Sequence, residues 1–206
     1  MPSIKYKFYQ NDIPSEFLNC NSVAIDTEAM GLRHQRDRLC LVQLCFGDDI
    51  AHLVKFSANN YEAPNLRRLL NNKEIKKIFH YARFDVGILQ YYLNVDITNI
   101  FCTKIASKIA RTYTEYHGLK ELCNELLSVS ISKSSQSSNW GAAKLTDAQM
   151  RYAAQDVLYL HELMDKLTNM LNSESRFELA KNCFDFLPHR VKLDLAGWEL
   201  VDIFQH

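Results

Sequence analysis

Asp26 and Glu28 stand two residues apart in Val23-Ala24-Ile25-Asp26-Thr27-Glu28, a run of β-branched and small residues that leads into Gly31. The run reads as a β-strand, and strand side chains alternate between faces, so both carboxylates point the same way. Two carboxylates side by side at the end of a buried strand repel each other and lose hydration. A divalent cation with oxygen ligands between them is the simplest compensation. For this stretch alone, a strand end whose acids simply face water fits as well.

Tyr152 and Asp156 are four apart in a helical pattern and so lie one turn apart on one side. Asp156 neighbours Ala153, Val157 and Leu160, at the edge of an apolar stripe, where an unpaired acid is unfavourable. Taken alone, an Asp bonded to Arg151 or to water is the commoner case. Asp85 enters a helix after His80-Tyr81-Ala82-Arg83-Phe84, and a first-turn acid at a helix N-terminus is also common. Together the chain offers four acids on separate elements. Their charge of about −4 is what two divalent cations would roughly neutralise.

The elements that must position them follow from periodicity. Residues 4–10 form an edge strand guarded by Lys5 and Lys7, and 14–18 a helical turn. Strands at 22–28, 39–46 and 50–54, the last two joined by Gly47-Asp48-Asp49, form an antiparallel meander. Helix 64–71, strand 76–79, helix 83–93, strand 95–97 and helices 103–111 and 119–127 follow. Strands alternating with helices imply parallel pairing, so the fold class is α/β: a mixed five-stranded sheet flanked by helices. The Ser-rich stretch 132–141 reads as a linker, or, because it holds Trp140, as a loop pinned to the body. Thr146 with Gln149 is a capping box. It opens a helix expected to run to about Leu171 on the stripe Met150, Ala153, Val157, Leu160, Met164, Leu167. A second helix spans 173–184, and Pro188 is expected to end it. No boundary or repeat divides the chain, so 1–206 is expected to be one domain.

Composition narrows the function. The 206 residues carry 24 basic and 24 acidic side chains, a formal net charge of zero. That argues against gripping long duplex but not against a short ligand in a local basic pocket. Lys104, Lys108 and Arg111 form a basic stripe at helical spacing. It reads first as a solvated face, second as a subunit contact or a wall of a channel for an acidic substrate. None of the six cysteines makes a CxxC pair and no histidines form HExxH, which argues against a zinc site. The first residues hold no apolar signal core, and the longest apolar run, 39–46, is interrupted by Gln43 and too short to span a bilayer. A cytoplasmic protein with no membrane partner is expected.

Asp26-x-Glu28, His80-Tyr81-Ala82-x-Phe84-Asp85 and Tyr152-x-x-x-Asp156 together resemble the three exonuclease motifs of the DEDD family, tyrosine subtype. The stretch from Lys133 to Asp156, with Gln136, Ser138-Asn139-Trp140 and Tyr152-Ala153-Ala154-x-Asp156, resembles ribonuclease D and its relatives. The likeness runs from about residue 20 to 170. The length, Arg38-Leu39-Cys40 and Phe101-Cys102-Thr103-Lys104-Ile105-Ala106 are similar to the nanoRNase C family. Cys102 departs from the Asp that relatives often carry there, but it is not a metal-binding position.

The resemblance implies a ribonuclease-H-like fold and a 3′–5′ exoribonuclease acting on short RNAs, especially dinucleotides. It further implies nucleoside 5′-monophosphate products and a ring-shaped homo-oligomer. Asp26 would bridge two Mg²⁺ or Mn²⁺ ions about 3.5–4 Å apart. Glu28 and Asp156 would complete the first, Asp85 would serve the second through water, and Tyr152 would orient the attacking water. Thr27 and Leu32 are candidate substrate contacts, Leu32 as a wedge between bases or equally as a loop leucine over the core. His80, Tyr81 and Phe84 offer stacking or sugar contacts, though Phe84 is more often core. Arg83, Lys133, Gln136 and Ser138 are candidates for phosphate. Two other readings stay open: processing of longer structured RNA or single-stranded DNA, and a non-catalytic nucleic-acid-binding module.

Overall fold

A β-strand at Ser22–Ala29 (β2) is the axis on which the rest is assembled in the computed structural model, which describes residues 4–58, 60–131 and 138–205. It pairs antiparallel with Leu39–Cys45 (β3) on one side and parallel with Lys76–Phe79 (β5) on the other. β3 is buried along its whole length, as its near-continuous apolar run requires of a strand covered on both faces. Ile50–Lys55 (β4) pairs antiparallel with β3, and Lys5–Gln10 (β1) pairs parallel with β4 at the edge. Lys5 and Lys7 on that edge strand are exposed, as its role demands. Ile100–Cys102 (β6) closes the far side in parallel with β5.

The described residues thus build a mixed α/β sheet of six strands, ordered β1-β4-β3-β2-β5-β6, rather than five. The strand expected at 95–97 is instead β6 at 100–102. Val95 and Ile97 are buried in the connection before it. Short apolar runs separated by two or three residues cannot be told apart by pattern. Pairing with Lys77, Ile78 and Phe79 decides which one is strand.

The helices are Pro64–Asn71 (α1), Ala82–Leu93 (α2), Thr103–Ala110 (α3), Leu119–Leu127 (α4), Asp147–Leu158 (α5), Leu160–Ser173 (α6) and Phe177–Leu193 (α7). Both bonds of the capping box start α5: Gln149 N donates to Thr146 Oγ1 at 3.2 Å, and Thr146 N donates to Gln149 Oε1 at 3.0 Å. The single long helix expected from there is broken at Tyr159, where φ is −102° and ψ −3°. Beyond the break the buried face is reset: Leu163 and Leu171 are core, while Met164 is only partly buried, as is Met150 before it in α5. Freed from one axis, α5 lies across β2, β3 and β4 while α6 packs on α3 and α4.

Pro188 does not end a helix; it lies buried inside α7, which runs on to Leu193. A proline costs the bond to the carbonyl four residues back. Packing of α7 against α2 and β6, with Phe184, Leu187, Pro188 and Val191 buried, offsets it. No described helix is long and apolar enough to cross a membrane.

Candidate active site

β2 delivers Asp26 and Glu28 on one face, and a β-bulge between Glu28 and Ala29 turns the strand end as it leaves the sheet. α5, lying over that face, brings Asp156. Asp26, Glu28 and Asp156 each offer a carboxylate oxygen, and these oxygens lie within 4.8 Å of one another. Among the described residues none of the three is paired with Lys or Arg. Asp26 is held by its register partner across the ladder, Gln43, whose Nε2 donates to Oδ2 at 3.2 Å. Asp85, 3% exposed, enters in the first turn of α2. Thr27, pointing away from its two acidic neighbours, donates from Oγ1 to Asp85 Oδ1 at 2.6 Å.

The electrostatics of this set are those of a site built for cations. Burial, opposed by a backbone hydrogen bond at Thr27, raises Asp26 to about 7. Burial, followed by repulsion from Asp26, Asp156 and Asp85, raises Glu28 to about 10. Asp85 is raised by burial and then Asp26, against the Thr27 hydrogen bond; Asp156 is raised by burial and then Asp26, against a hydrogen bond from Tyr152. The Tyr152 phenol is itself pushed up by burial and by Asp156, Glu28 and Asp26. An all-oxygen donor set with this much uncompensated repulsion fits hard divalent ions such as Mg²⁺ or Mn²⁺.

Asp26, Glu28 and Asp156 line a cleft of about 700 Å³. Thr27, Leu32, His80, Tyr81, Phe84 and Ser138 line it, as does Tyr152. Leu32 is 83% exposed at its rim, so it does not cap the core. Phe84 is half-buried against His34, their ring centres 5.0 Å apart, and still shows an edge to the cleft. Arg83 is not brought there. Its guanidinium forks onto Asp194, just past α7, at 2.6 and 2.7 Å and also donates to Glu199 O. The partner that claims it lies 111 residues away, beyond any local pattern. Lys133 and Gln136 lie outside the described residues.

Three supporting residues were not among the candidate site residues, although the sequence reading had Trp140 pinning its loop and offered Lys104 as a channel wall. Gln43 was visible only as the polar interruption of β3, and its register with Asp26 gives that interruption a purpose. Trp140 is pinned, 2% exposed, with its ring centre 6.1 Å from that of Tyr152 and its carbonyl accepting from Lys55 Nζ at 3.2 Å. Lys104 lines the cleft with Nζ 4.1 Å above the Tyr81 ring. The basic stripe therefore divides: Lys104 is a cleft wall and Lys108 is exposed. Arg111 is fully buried on Glu125, Ser107 and the Tyr116 carbonyl, not solvated.

Acids from two β2 positions and two helices, converging beside a tyrosine in an open cleft on a mixed sheet, define a 3′–5′ exonuclease, a hydrolase of phosphodiester bonds. Residues 3–172 match the 3′–5′ exonuclease family, and the chain belongs to it. Within that family it is ribonuclease D-like and similar to NrnC. The structure of Brucella melitensis NrnC bound to pGG superposes with a TM-score of 0.96 at 50% identity, covering 99% of this chain and 100% of that one. B. melitensis NrnC with bound Mg²⁺ gives 0.94 at 48%, covering 98% and 99%. Ribonuclease D of Gluconacetobacter diazotrophicus is 33% identical over 156 residues, 76% of this chain and 39% of that protein. DNA polymerase I of Aquifex aeolicus is 38% identical over 148 residues, 72% of this chain and 24% of the polymerase. The chain thus spans less than half the length of these two curated relatives.

Proposed function

We propose that this chain, acting as one exonuclease domain over 1–206, hydrolyses short oligoribonucleotides from the 3′ end, dinucleotides above all, releasing nucleoside 5′-monophosphates. The observation that carries the reading is the convergence of Asp26, Glu28 and Asp156 oxygens within 4.8 Å in a cleft of bounded size. Two divalent ions bound there, Mg²⁺ or Mn²⁺, would supply an activated water and charge neutralisation at both reacting oxygens. Asp26, Glu28 and Asp156 would hold one ion and Asp26 with Asp85 the other. Tyr152, kept protonated by burial and by its acidic neighbours, orients the attacking water by hydrogen bonding instead of acting as a base. Leu32 at the rim wedges between the two bases, and Tyr81 and Phe84 offer ring faces. Ser138 offers a hydroxyl to phosphate, with Lys133 and Gln136 as further phosphate contacts; Arg83, committed to Asp194, is left out.

The short-substrate part draws support from the NrnC complex with pGG, a ligand two guanosines long, and from the zero net charge of the chain. We infer further that the protein is cytoplasmic and works as a ring-shaped homo-oligomer. The test is hydrolysis of a 5′-labelled dinucleotide against a long structured RNA and a single-stranded DNA, with and without chelator. Chelator-sensitive preference for the dinucleotide is the expected result. Preference for the long RNA or the DNA removes the short-substrate reading, and binding without hydrolysis removes the enzyme.

A further inference from the structure

His80 closes β5 and opens the turn into α2, and its ring has two different sides. Nδ1 lies 2.9 Å from Thr103 Oγ1, a hydroxyl that is fully buried at the start of α3. A threonine hydroxyl carries one proton. Here that proton is committed: Thr103 Oγ1 donates to the Phe79 carbonyl at 3.2 Å. Leaving that buried carbonyl unsatisfied is unfavourable. Thr103 must then accept from His80, so Nδ1 carries the imidazole proton. Burial, followed by the nearby charge of Lys104, pushes the imidazole down to about 3, so the ring is neutral. Nε2 is then a bare lone pair. It has no protein partner among the described residues, and with Nδ1 turned inward it belongs to the side of the ring that lines the cleft.

We propose that His80 Nε2 is a specificity-determining acceptor that takes a hydrogen bond from a ribose hydroxyl of the 3′-terminal nucleotide. The inference rests on the nuclease reading above and deepens it. A bare imidazole nitrogen cannot bond a phosphate oxygen, a base carbonyl or a carboxylate, none of which brings a proton. Of the groups near a 3′ end, the base N–H donors change from base to base, whereas the sugar hydroxyls are donors on every ribonucleotide. The 2′-hydroxyl is also the group that separates RNA from DNA. Thr103 acts as a positioning residue, setting the tautomer from behind.

The test has two arms. The first compares hydrolysis of 5′-phosphorylated diguanosine with its analogues lacking the 2′- or the 3′-hydroxyl on the 3′-terminal residue. The wild-type protein is expected to favour the full ribose over one of these analogues by about tenfold, the worth of one such bond. His80→Phe should lower only the ribose rate, to that of the analogue, and His80→Gln, which keeps an acceptor at similar reach, should restore part of the difference. The analogue that levels with the parent identifies the hydroxyl. An equal loss on all substrates overturns the proposal. The second arm is solid-state ¹⁵N NMR of histidine-labelled wild-type protein, with the His80 signal assigned from the His80→Gln spectrum. It expects a protonated Nδ1 and a bare Nε2; a protonated Nε2 overturns the proposal without reference to activity. Continued hydrolysis of the deoxy analogue by His80→Phe would keep the nuclease reading standing even if discrimination did not change.

Discussion

Thr27 Oγ1 donates to Asp85 Oδ1 at 2.6 Å across 58 residues of chain, locking the first turn of α2 to the acidic end of β2. The threonine between the two acids of the strand therefore does what neither acid could. It points the other way along the pleat and fixes the carboxylate that arrives from a different helix. Asp85 accepts this short bond and backbone hydrogen bonds at Thr27 and at its own residue, and together they oppose the burial and the repulsion from Asp26 that raise it.

Replacing Thr27 by Val keeps shape and burial but removes that donor. Partners that orient a metal-binding carboxylate commonly contribute about 10–100-fold in metal affinity or activity. Thr27→Val is expected to raise the Mn²⁺ concentration needed for half-maximal activity by such a factor, and Thr27→Ser to restore most of it. A titration of activity against Mn²⁺ that is unchanged in Thr27→Val would separate Asp85 from cation binding.

The metal-free protein should lose stability as pH rises. Asp26 moves from 3.8 to about 7 and Glu28 from 4.5 to about 10 on folding. A carboxyl raised on folding favours the folded state below its unfolded value, and that contribution is lost as pH climbs through the folded value. Chelated protein is therefore expected to melt at progressively lower temperature from about pH 4 through neutrality. A cation at one hundred times its Kd adds about 2.7 kcal/mol, roughly 5–11 °C for a chain of this length. Thermal melts from pH 5 to 8, with chelator and with Mn²⁺, read both effects. Asp26→Asn should flatten the pH dependence of the chelated protein and abolish hydrolysis.

Tyr152→Phe is expected to lower kcat by about 10–100-fold while leaving the shape of the pH–rate profile unchanged. The phenol is raised by burial and by Asp156, Glu28 and Asp26, so it does not ionise in the working range. Its loss is that of an oriented hydrogen bond plus the alignment it enforces. Disappearance of the basic limb of the profile in Tyr152→Phe would instead make it the base.

Leu32 and Arg83 should part ways although both come from the same sequence reading. Leu32 is 83% exposed and holds up nothing, so Leu32→Ala is expected to leave the melting temperature alone. It should raise KM for a dinucleotide by about 10–100-fold, the loss of about 1.5–3 kcal/mol of leucine burial against bases.

Arg83→Ala, by contrast, removes one of two guanidinium partners of Asp194, which is 5% exposed and also bound by Arg190. A buried carboxylate stripped of one partner loses about 1–3 kcal/mol, less than a fully buried pair because Arg83 is itself part-exposed and Arg190 remains. Urea denaturation should show that loss, with KM unchanged; a raised KM at unchanged stability would return Arg83 to the substrate.

The sequence by itself determined which residues could do chemistry and most of the elements. Alternation placed Asp26 and Glu28 on one face, and a period of four placed Tyr152 beside Asp156. The capping box at Thr146 fixed where α5 begins, because each of these signals is local and strong. Local signals do not reach across the chain. Which of two short apolar runs becomes β6 was settled by pairing with β5, and Pro188 stayed helical because burial against α2 and β6 outweighs one missing hydrogen bond. The break at Tyr159 turns α5 across the sheet so that Asp156 reaches Glu28, which no stripe of hydrophobic residues could foretell. Gln43 under Asp26, Thr27 on Asp85, and Arg83 drawn to Asp194 are likewise decisions of the tertiary structure. Each depends on which side chains distant stretches bring within about 3 Å, and hydrogen bonds act only at that range.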